Sequence, residues 1–344
     1  MMTASGRINI EDPSALLRYL RRQAHIGANE TPALRALAGG VSNRTVHVQR
    51  QNGEAWVLKQ ALAKLRVEVD WFSAPERIHR EAAGLRWLGQ IIPGQVPQFV
   101  FADEKQHILG MSAVPQPHQN WKTALLDGRA STEQARAFGR LLASIHSAVD
   151  RFPALQDEFA DRRFFEELRL EPYYSYTASQ VPQAHGFLEQ LIEDTRDRRL
   201  ALVHGDYSPK NVLIFKGNLI LLDFEVIHFG DPAFDIGFSF AHFLAKAYFL
   251  PTARSDFLGM ARAYWRAYCQ GLNPQMRATV VEPAPRHTLA CVLARMAGRS
   301  PLEYLDQWQR SALKRIALEL IEQELADMET LLERYEARLG RPRE

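Results

Sequence analysis

The chain has 344 residues, of which 46% are hydrophobic, 24% charged and 10% aromatic, a balance that excludes disordered, collagenous and disulfide-scaffold classes. Its 42 Lys and Arg against 40 Asp and Glu leave a net charge of +2, too near balance for a nucleic-acid or membrane-surface partner. A small molecule is therefore the expected partner, and the length suits two domains or one domain of two lobes.

In chain order, Asp12-Pro13 is an N-cap and first-turn pair ahead of an amphipathic helix over 14–23, and Thr31-Pro32 predicts a second short helix. From Leu37 the texture changes. Gly39-Gly40-Val41-Ser42-Asn43, the alternating Val46-His47-Val48, the turn Asn52-Gly53 and the run 55–59 predict a hairpin. A two-residue loop there would set Lys59 opposite Val46. A helix including 76–88 follows, and the apolar runs 98–102 and 107–111 predict a second hairpin. Residues 1–112 are thus expected to form a unit of four or five strands with one inserted helix. Beyond Pro115-Gln116-Pro117, residues 113–344 turn mostly helical, over 132–149, 164–170, 181–196 and from 235 almost to 336. A strand-rich island, 200–229, interrupts them.

Within the island, His204-Gly205-Asp206 is followed by Asn211, by two short strands joined through Lys216-Gly217-Asn218, and by Asp223-Phe224-Glu225. Antiparallel pairing would bring Asn211 and Asp223 together at the open end of that hairpin, so that two hard oxygen donors face one point. Mg²⁺ suits such a pair, because it takes one or two carboxylates, keeps waters and fills its other positions with phosphate oxygens. Asp206, on the loop leading in, is placed as a base aimed at a metal-bound phosphate. Asp223 and Glu225 alternate along an extended chain, so Glu225 is expected to add a further metal oxygen. Alone, each acid is an ordinary turn or cap residue; their order matches the catalytic loop and metal-binding Asp of a kinase.

The N-terminal unit supplies complementary groups. The backbone amides of the turn containing Gly39, Gly40, Ser42 and Asn43 would cradle an anion, and Lys59 would add a point charge for phosphates. A lysine ending a buried strand needs a partner, and Glu81 on the following helix is the candidate, as in the Lys–Glu pair of kinases.

At this point the chain resembles the aminoglycoside phosphotransferase/choline kinase-like superfamily over about residues 35–305. The matching stretches are residues 37–43, Lys59, Arg80-Glu81, the helix 137–146 and the H-G-D-x-x-x-x-N…D-F-E island. The resemblance implies an α+β, two-lobed protein-kinase-like fold, with a small antiparallel-sheet lobe and a larger helical lobe. It implies ATP and Mg²⁺ as cofactors, Asp206 as catalytic base, Asn211 and Asp223 as Mg²⁺ ligands and Lys59 as phosphate clamp held by Glu81. The adenine would lie near Met111 and Ala113, between the lobes. Asp223-Phe224-Glu225 and the run 230–237 look more like the methylthioribose kinase and choline kinase branches, in which Asp235 would brace the catalytic loop. Arg295 and Arg299 fall where methylthioribose kinases place basic residues near the substrate. The phosphate cradle lacks the full G-x-G-x-x-G spacing, and Lys210 stands where the family often has Gly; its side chain would reach the γ-phosphate or point to solvent, and solvent is the expectation because exposed Lys is the default.

The implied activity is phosphoryl transfer to a hydroxyl of a sugar or amino alcohol. An aminoglycoside is the alternative acceptor, disfavoured because residues 241–344 hold 15 Lys and Arg against 12 Asp and Glu. A catalytically silent nucleotide-binding protein is the alternative class, against which stands the retention of base, metal ligands and lysine together. His204 is expected to hold the loop and His146 to pack or cap its helix. Phe238, Phe240, Phe243, Tyr248 and Phe249 read as plain core, whereas Trp71, Phe72, Tyr173, Tyr174 and Tyr176 are candidates for lining a pocket. Cys269 and Cys291 read as free buried thiols. The first twenty residues lack a signal-peptide pattern, and the apolar run 233–250 is broken by Asp235, His242 and Lys246. A cytoplasmic monomer or homodimer is expected.

Overall fold

Asp12 caps the first helix, α1 (Pro13–Arg22), by accepting from the N–H groups of Ser14 and Ala15, and Pro13 sits where no N–H is needed. This computed structural model describes residues 7–37, 42–66 and 71–339. The chain divides into two units, Met1–His118 with Ile220–Glu225 and Gln119–Leu219 with Val226–Glu344.

In the first unit, β1 (Ala33–Ala36), β2 (Asn43–Gln49), β3 (Ala55–Ala61), β4 (Phe99–Asp103) and β5 (Ile108–Ser112) form one antiparallel sheet in the order β1-β2-β3-β5-β4. Helix α2 (Arg77–Ile91) is inserted between β3 and β4. Leu16, Tyr19 and Leu20 of α1 pack on Val46, Val48, Trp56, Leu58 and Phe101, so α1 covers one face of the sheet. Tyr19 also donates its hydroxyl to Asp103 at 2.8 Å.

Two expectations are corrected here. Thr31-Pro32 opens no helix; the chain goes straight into β1, with Leu34 opposite Val48. A proline just before a short edge strand leaves no ladder hydrogen bond unmade, so the signal that suits a helix start suits this edge equally. The first hairpin closes through three residues rather than two. Arg50 N–H donates to Glu54 O, Gly53 N–H donates to Arg50 O, and Gly53 has φ 92°, the arrangement of a turn ending in a left-handed glycine. The register therefore shifts by one, and Lys59 stands opposite Thr45, not Val46.

From Gln119 onward the chain runs through β6 (Gln119–Asn120), α3 (Trp121–Leu126), α4 (Thr132–His146), the short helices α5 (Leu155–Glu158), α6 (Arg163–Phe165) and α7 (Tyr176–Gln180), α8 (His185–Asp197), β7 (Ala201–Val203), β8 (Val212–Phe215), β9 (Asn218–Leu221) and β10 (His228–Gly230). Five long helices complete it: α9 (Ala233–Phe249), α10 (Arg254–Gln270), α12 (Pro283–Ala297), α13 (Gln307–Ile321) and α14 (Met328–Leu339), with the shorter α11 (Pro274–Val281) between α10 and α12. Between α6 and α7 the helix widens to π geometry over Glu166–Ser175, where an ordinary helix over 164–170 was expected. Helix α9 is buried on nearly every side, which accounts for its largely apolar character around Asp235, His242 and Lys246. It packs on α12 at Gly237, where a Cβ would lie 2.4 Å from the His287 carbonyl carbon. Among the described residues no helix is long and apolar enough to cross a membrane.

Candidate functional site

Strand alternation sends Leu58 to the α1 face and Lys59 to the other, where α2 presents Glu81. Lys59 Nζ lies 2.6 Å from Glu81 Oε1 and 2.9 Å from Asp223 Oδ1. Burial pushes the Glu81 carboxyl up, with the Asp223 and Glu225 carboxylates adding to the push and Lys59 opposing it. Burial alone would lower the Lys59 ammonium, but Asp223 and Glu81 outweigh it and hold it above its ordinary range. Glu81 and Asp223 thus both reach one ammonium, and the Asp223 carboxylate is an oxygen donor of the kind a divalent cation takes.

Arg77 is the group in this unit that sequence reasoning missed. Fully buried at the start of α2, it donates from Nε to Glu225 (3.1 Å), from Nη1 to the carbonyls of Ser73 (3.0 Å) and Ala74 (3.2 Å), and from Nη2 to the carbonyls of Leu62 (2.8 Å) and Ser42. Glu225 Oε2 also accepts from Asn43 Nδ2 at 3.3 Å. Glu225, expected to add a metal oxygen beside Asp223, has its Oε2 engaged by Arg77 and Asn43. Asp223 has φ 72°, which breaks the extended alternation, and Glu225 is turned to Arg77 and Asn43. Asn43 itself points inward, donating also to Ser42 Oγ at 3.0 Å. Gly39 and Gly40 lie outside the described residues. Met111 is buried in β5 opposite Val57, and the Ala113 N–H is spent on Ala55 O at 2.8 Å.

In the second unit, β7 runs into the loop of His204, Gly205 and Asp206. Asp235 of α9 accepts the His204 N–H at Oδ2 (2.7 Å) and the Gly205 N–H at Oδ1 (2.8 Å), and His146 Nε2 lies 3.2 Å from Oδ2. The Asp206 N–H donates to His204 Nδ1 at 3.1 Å, so His204 holds the loop as expected. Gly205 has φ 77°, and a Cβ there would stand 2.9 Å from Val226 Cγ2; only glycine suits the turn.

Asp206 is 1% exposed. Its Oδ2 lies 2.8 Å from both Arg169 Nη2 and Lys210 Nζ. Burial would raise this carboxyl, but Arg169 and Lys210, with Arg295, hold it well below the usual carboxylate range. Lys210, its side chain 38% exposed, pairs with the carboxylate four residues before it. Arg169, from the π segment, is the second residue missed, and its Nε also donates to Gly205 O at 2.8 Å. Asn211 Nδ2 donates to Asp206 O at 3.0 Å, leaving its amide oxygen with no protein donor among the described residues.

Among the described residues no three or more His, Cys, Asp and Glu side chains gather as a metal cage. Mg²⁺ needs no such cage, since one or two protein oxygens suffice when waters and phosphates complete its shell. Asp223 in the first unit and the Asn211 amide oxygen in the second are each a donor of that kind. Arg295 and Arg299 separate in role: Arg295 bears on Asp206, whereas Arg299 is paired with Glu171 at 2.8 Å and lies over the Tyr176 ring. Tyr174, expected near a pocket, is buried with its hydroxyl 2.8 Å from His287 Nδ1.

The profile described as APH, Phosphotransferase enzyme family, matches residues 33–278. The chain is 23% identical over 286 residues to methylthioribose kinase 1 of Oryza sativa subsp. japonica, covering 74% of this chain and 66% of that protein. It spans slightly less than two thirds of the length of the curated relatives it matches. The solved amicoumacin kinase hAmiN, in complex with AMP-PNP, Ca²⁺ and Ami, superposes with a TM-score of 0.56 at 15% identity, covering 89% of this chain and 92% of that one. Macrolide 2′-phosphotransferase MphH of Brachybacterium faecium gives 0.52 at 20% identity, covering 96% and 99%. These two likenesses speak to the fold, an α+β kinase-like architecture with its antiparallel sheet in the N-terminal region. With the profile matching well over half of its length, the chain belongs to the phosphotransferase enzyme family.

Proposed function

We propose that the chain transfers the γ-phosphoryl group of ATP to a hydroxyl of a small metabolite, with Asp206 accepting the hydroxyl proton. The observation that best supports this is the state of Asp206: buried, kept ionised by Arg169 and Lys210, and carried on a loop that Asp235 pins through two backbone N–H groups. A carboxylate held so far down is a weak base at rest. Its work is to orient the alcohol and take the proton late, once bonding to phosphorus has acidified the hydroxyl. Lys59, steadied by Glu81, supplies a fixed positive charge for phosphate oxygens. Asp223 and Asn211 would hold Mg²⁺, which neutralises charge on the phosphates when bound. Arg77 and Asn43 engage Glu225 Oε2, so a metal oxygen from Glu225 would be Oε1.

The test is Asp206→Asn. ADP release with a competent acceptor is expected to fall by about 10²–10⁴-fold, with ATP binding, read by calorimetry, little changed. Undiminished ADP release would remove Asp206 from its role. Mg²⁺-dependent ATP binding with no transfer by the wild-type protein to any sugar, amino alcohol or aminoglycoside would favour a catalytically silent protein instead.

A further inference from the structure

Helices α9 and α12 pack together and carry two cations into the interior. Lys246 is 0% exposed and Arg295 5%. Neither forms an ion pair with a described carboxylate. Among the described residues Lys246 Nζ reaches only the His242 carbonyl, at 3.4 Å, and it lies 5.2 Å from the Tyr304 ring, whose buried hydroxyl has no hydrogen-bond partner there either. Arg295 donates from Nη1 to Ser300 O (2.7 Å) and Oγ (3.0 Å) and from Nη2 to His242 Nε2 (3.2 Å). Since Arg can only donate, His242 is an acceptor here and carries no charge. Burial with Arg295 and Lys246 beside it keeps it neutral.

This patch adjoins the reacting carboxylate. The Arg295 guanidinium lies 5.1 Å from the Tyr173 ring and 5.2 Å from that of Phe238, and the Arg169 guanidinium 5.9 and 5.8 Å from the same two rings. Arg169 in turn grips Asp206. Around this wall stand Arg169, Lys210, Arg295, Lys246 and Lys122, against the carboxylates of Asp206 and Glu303, which pair with Lys210 and Lys122 respectively. Buried charge left unpaired is costly and calls for a counter-charge. Burial also draws the Lys246 ammonium down to about 7, a cost that an arriving anion would reverse.

We infer that the acceptor is anionic, its hydroxyl at Asp206 and a carboxylate or phosphate group between Arg295 and Lys246. This rests on the phosphotransferase reading above. Neutral sugars leave the two cations unanswered, and cationic amines add to the surplus.

The experiment has two arms. In the first, ADP release is followed with glycerol, glycerate, glycerol 3-phosphate and 3-amino-1,2-propanediol, which share a carbon skeleton and differ in charge. One of the anionic pair is expected to have the highest kcat/KM, and which one distinguishes carboxylate from phosphate. In the second, binding of inorganic phosphate and acetate is measured by calorimetry for wild type, Arg295→Gln, Arg295→Lys and Lys246→Met, each checked for folding by thermal unfolding. The preferred anion is expected to bind wild type, with affinity reduced about tenfold or more by Arg295→Gln and Lys246→Met and less by Arg295→Lys. Turnover of the neutral or cationic compound without anion binding would overturn the inference and leave phosphoryl transfer standing, as would anion binding indifferent to Arg295→Gln and Lys246→Met. Anion binding that depends on both residues, with no ADP release on any acceptor, would instead overturn the phosphotransferase reading and the acceptor assignment with it.

Discussion

Lys246 shows what a single buried charge costs the fold. Its folded pKa of about 7 lies below its ordinary 10.5, so between those values the unfolded chain binds more protons and stability rises with pH. Burial sets this, with Lys122 and Arg295 adding to the fall and Glu303 opposing it; the His242 carbonyl and the Tyr304 ring also face the ammonium. Lys246→Met should therefore stabilise the protein near pH 7 by an amount on the order of a few kcal/mol, and the gain should shrink toward pH 10. Urea midpoints of both proteins at the two pH values check this; a pH-independent difference would refute it. The arginines Arg77 and Arg169 did not stand out in the sequence, because Arg is mostly exposed and nothing local marks one as buried, whereas Lys246 showed as a break in the apolar run 233–250. The pairing of Lys59 with Glu81 was legible for the opposite reason: a lysine ending a buried strand needs a carboxylate, and the next helix offers one. Lys210 was visible without its partner, because nothing local shows that its side chain folds back onto Asp206.

The loop 204–206 and α9 act as one element. Asp235 replaces missing backbone partners for two N–H groups, and Gly205 gives the turn its left-handed residue. Gly205→Ala adds a Cβ against Val226 at an unfavourable φ, and should cost about 1–3 kcal/mol with a larger fall in kcat than in acceptor affinity. Thermal unfolding together with steady-state kinetics separates the two; a variant that keeps wild-type turnover would show the turn to be more tolerant than its packing indicates. Element types were readable wherever periodicity was strong, as in α1, α2, α4 and the two hairpins of the first unit. They were not readable where one local signal serves two structures. Proline before residue 33 suits a helix start or an edge strand, and only pairing with β2 decides. The Gly53 turn allows a two- or a three-residue loop. Nothing local announces the π geometry of Glu166–Ser175, although it is this widened turn that carries Arg169.

On the scale of the whole molecule, family membership was legible because its motifs are contiguous short runs, whereas the partition of the chain was harder to see. Ile220–Glu225 belongs with residues from the first third of the sequence. It supplies Asp223 to Lys59, Glu225 to Arg77, and the Leu221 N–H to Gln95 O at 2.8 Å. A fragment ending at His118 would strand buried Arg77 without its carboxylate, a loss worth about 3–5 kcal/mol by itself. Such a fragment should show no cooperative unfolding transition by circular dichroism, and adding a peptide of residues 218–227 should restore part of it. A cooperative transition in the bare fragment would mean that the hexapeptide is dispensable. The same interleaving limits how relatives of this chain can exchange parts. A crossover at residue 118 would pair the sheet of one parent with the six-residue strip of the other, so the two stretches must be inherited together or co-adapt.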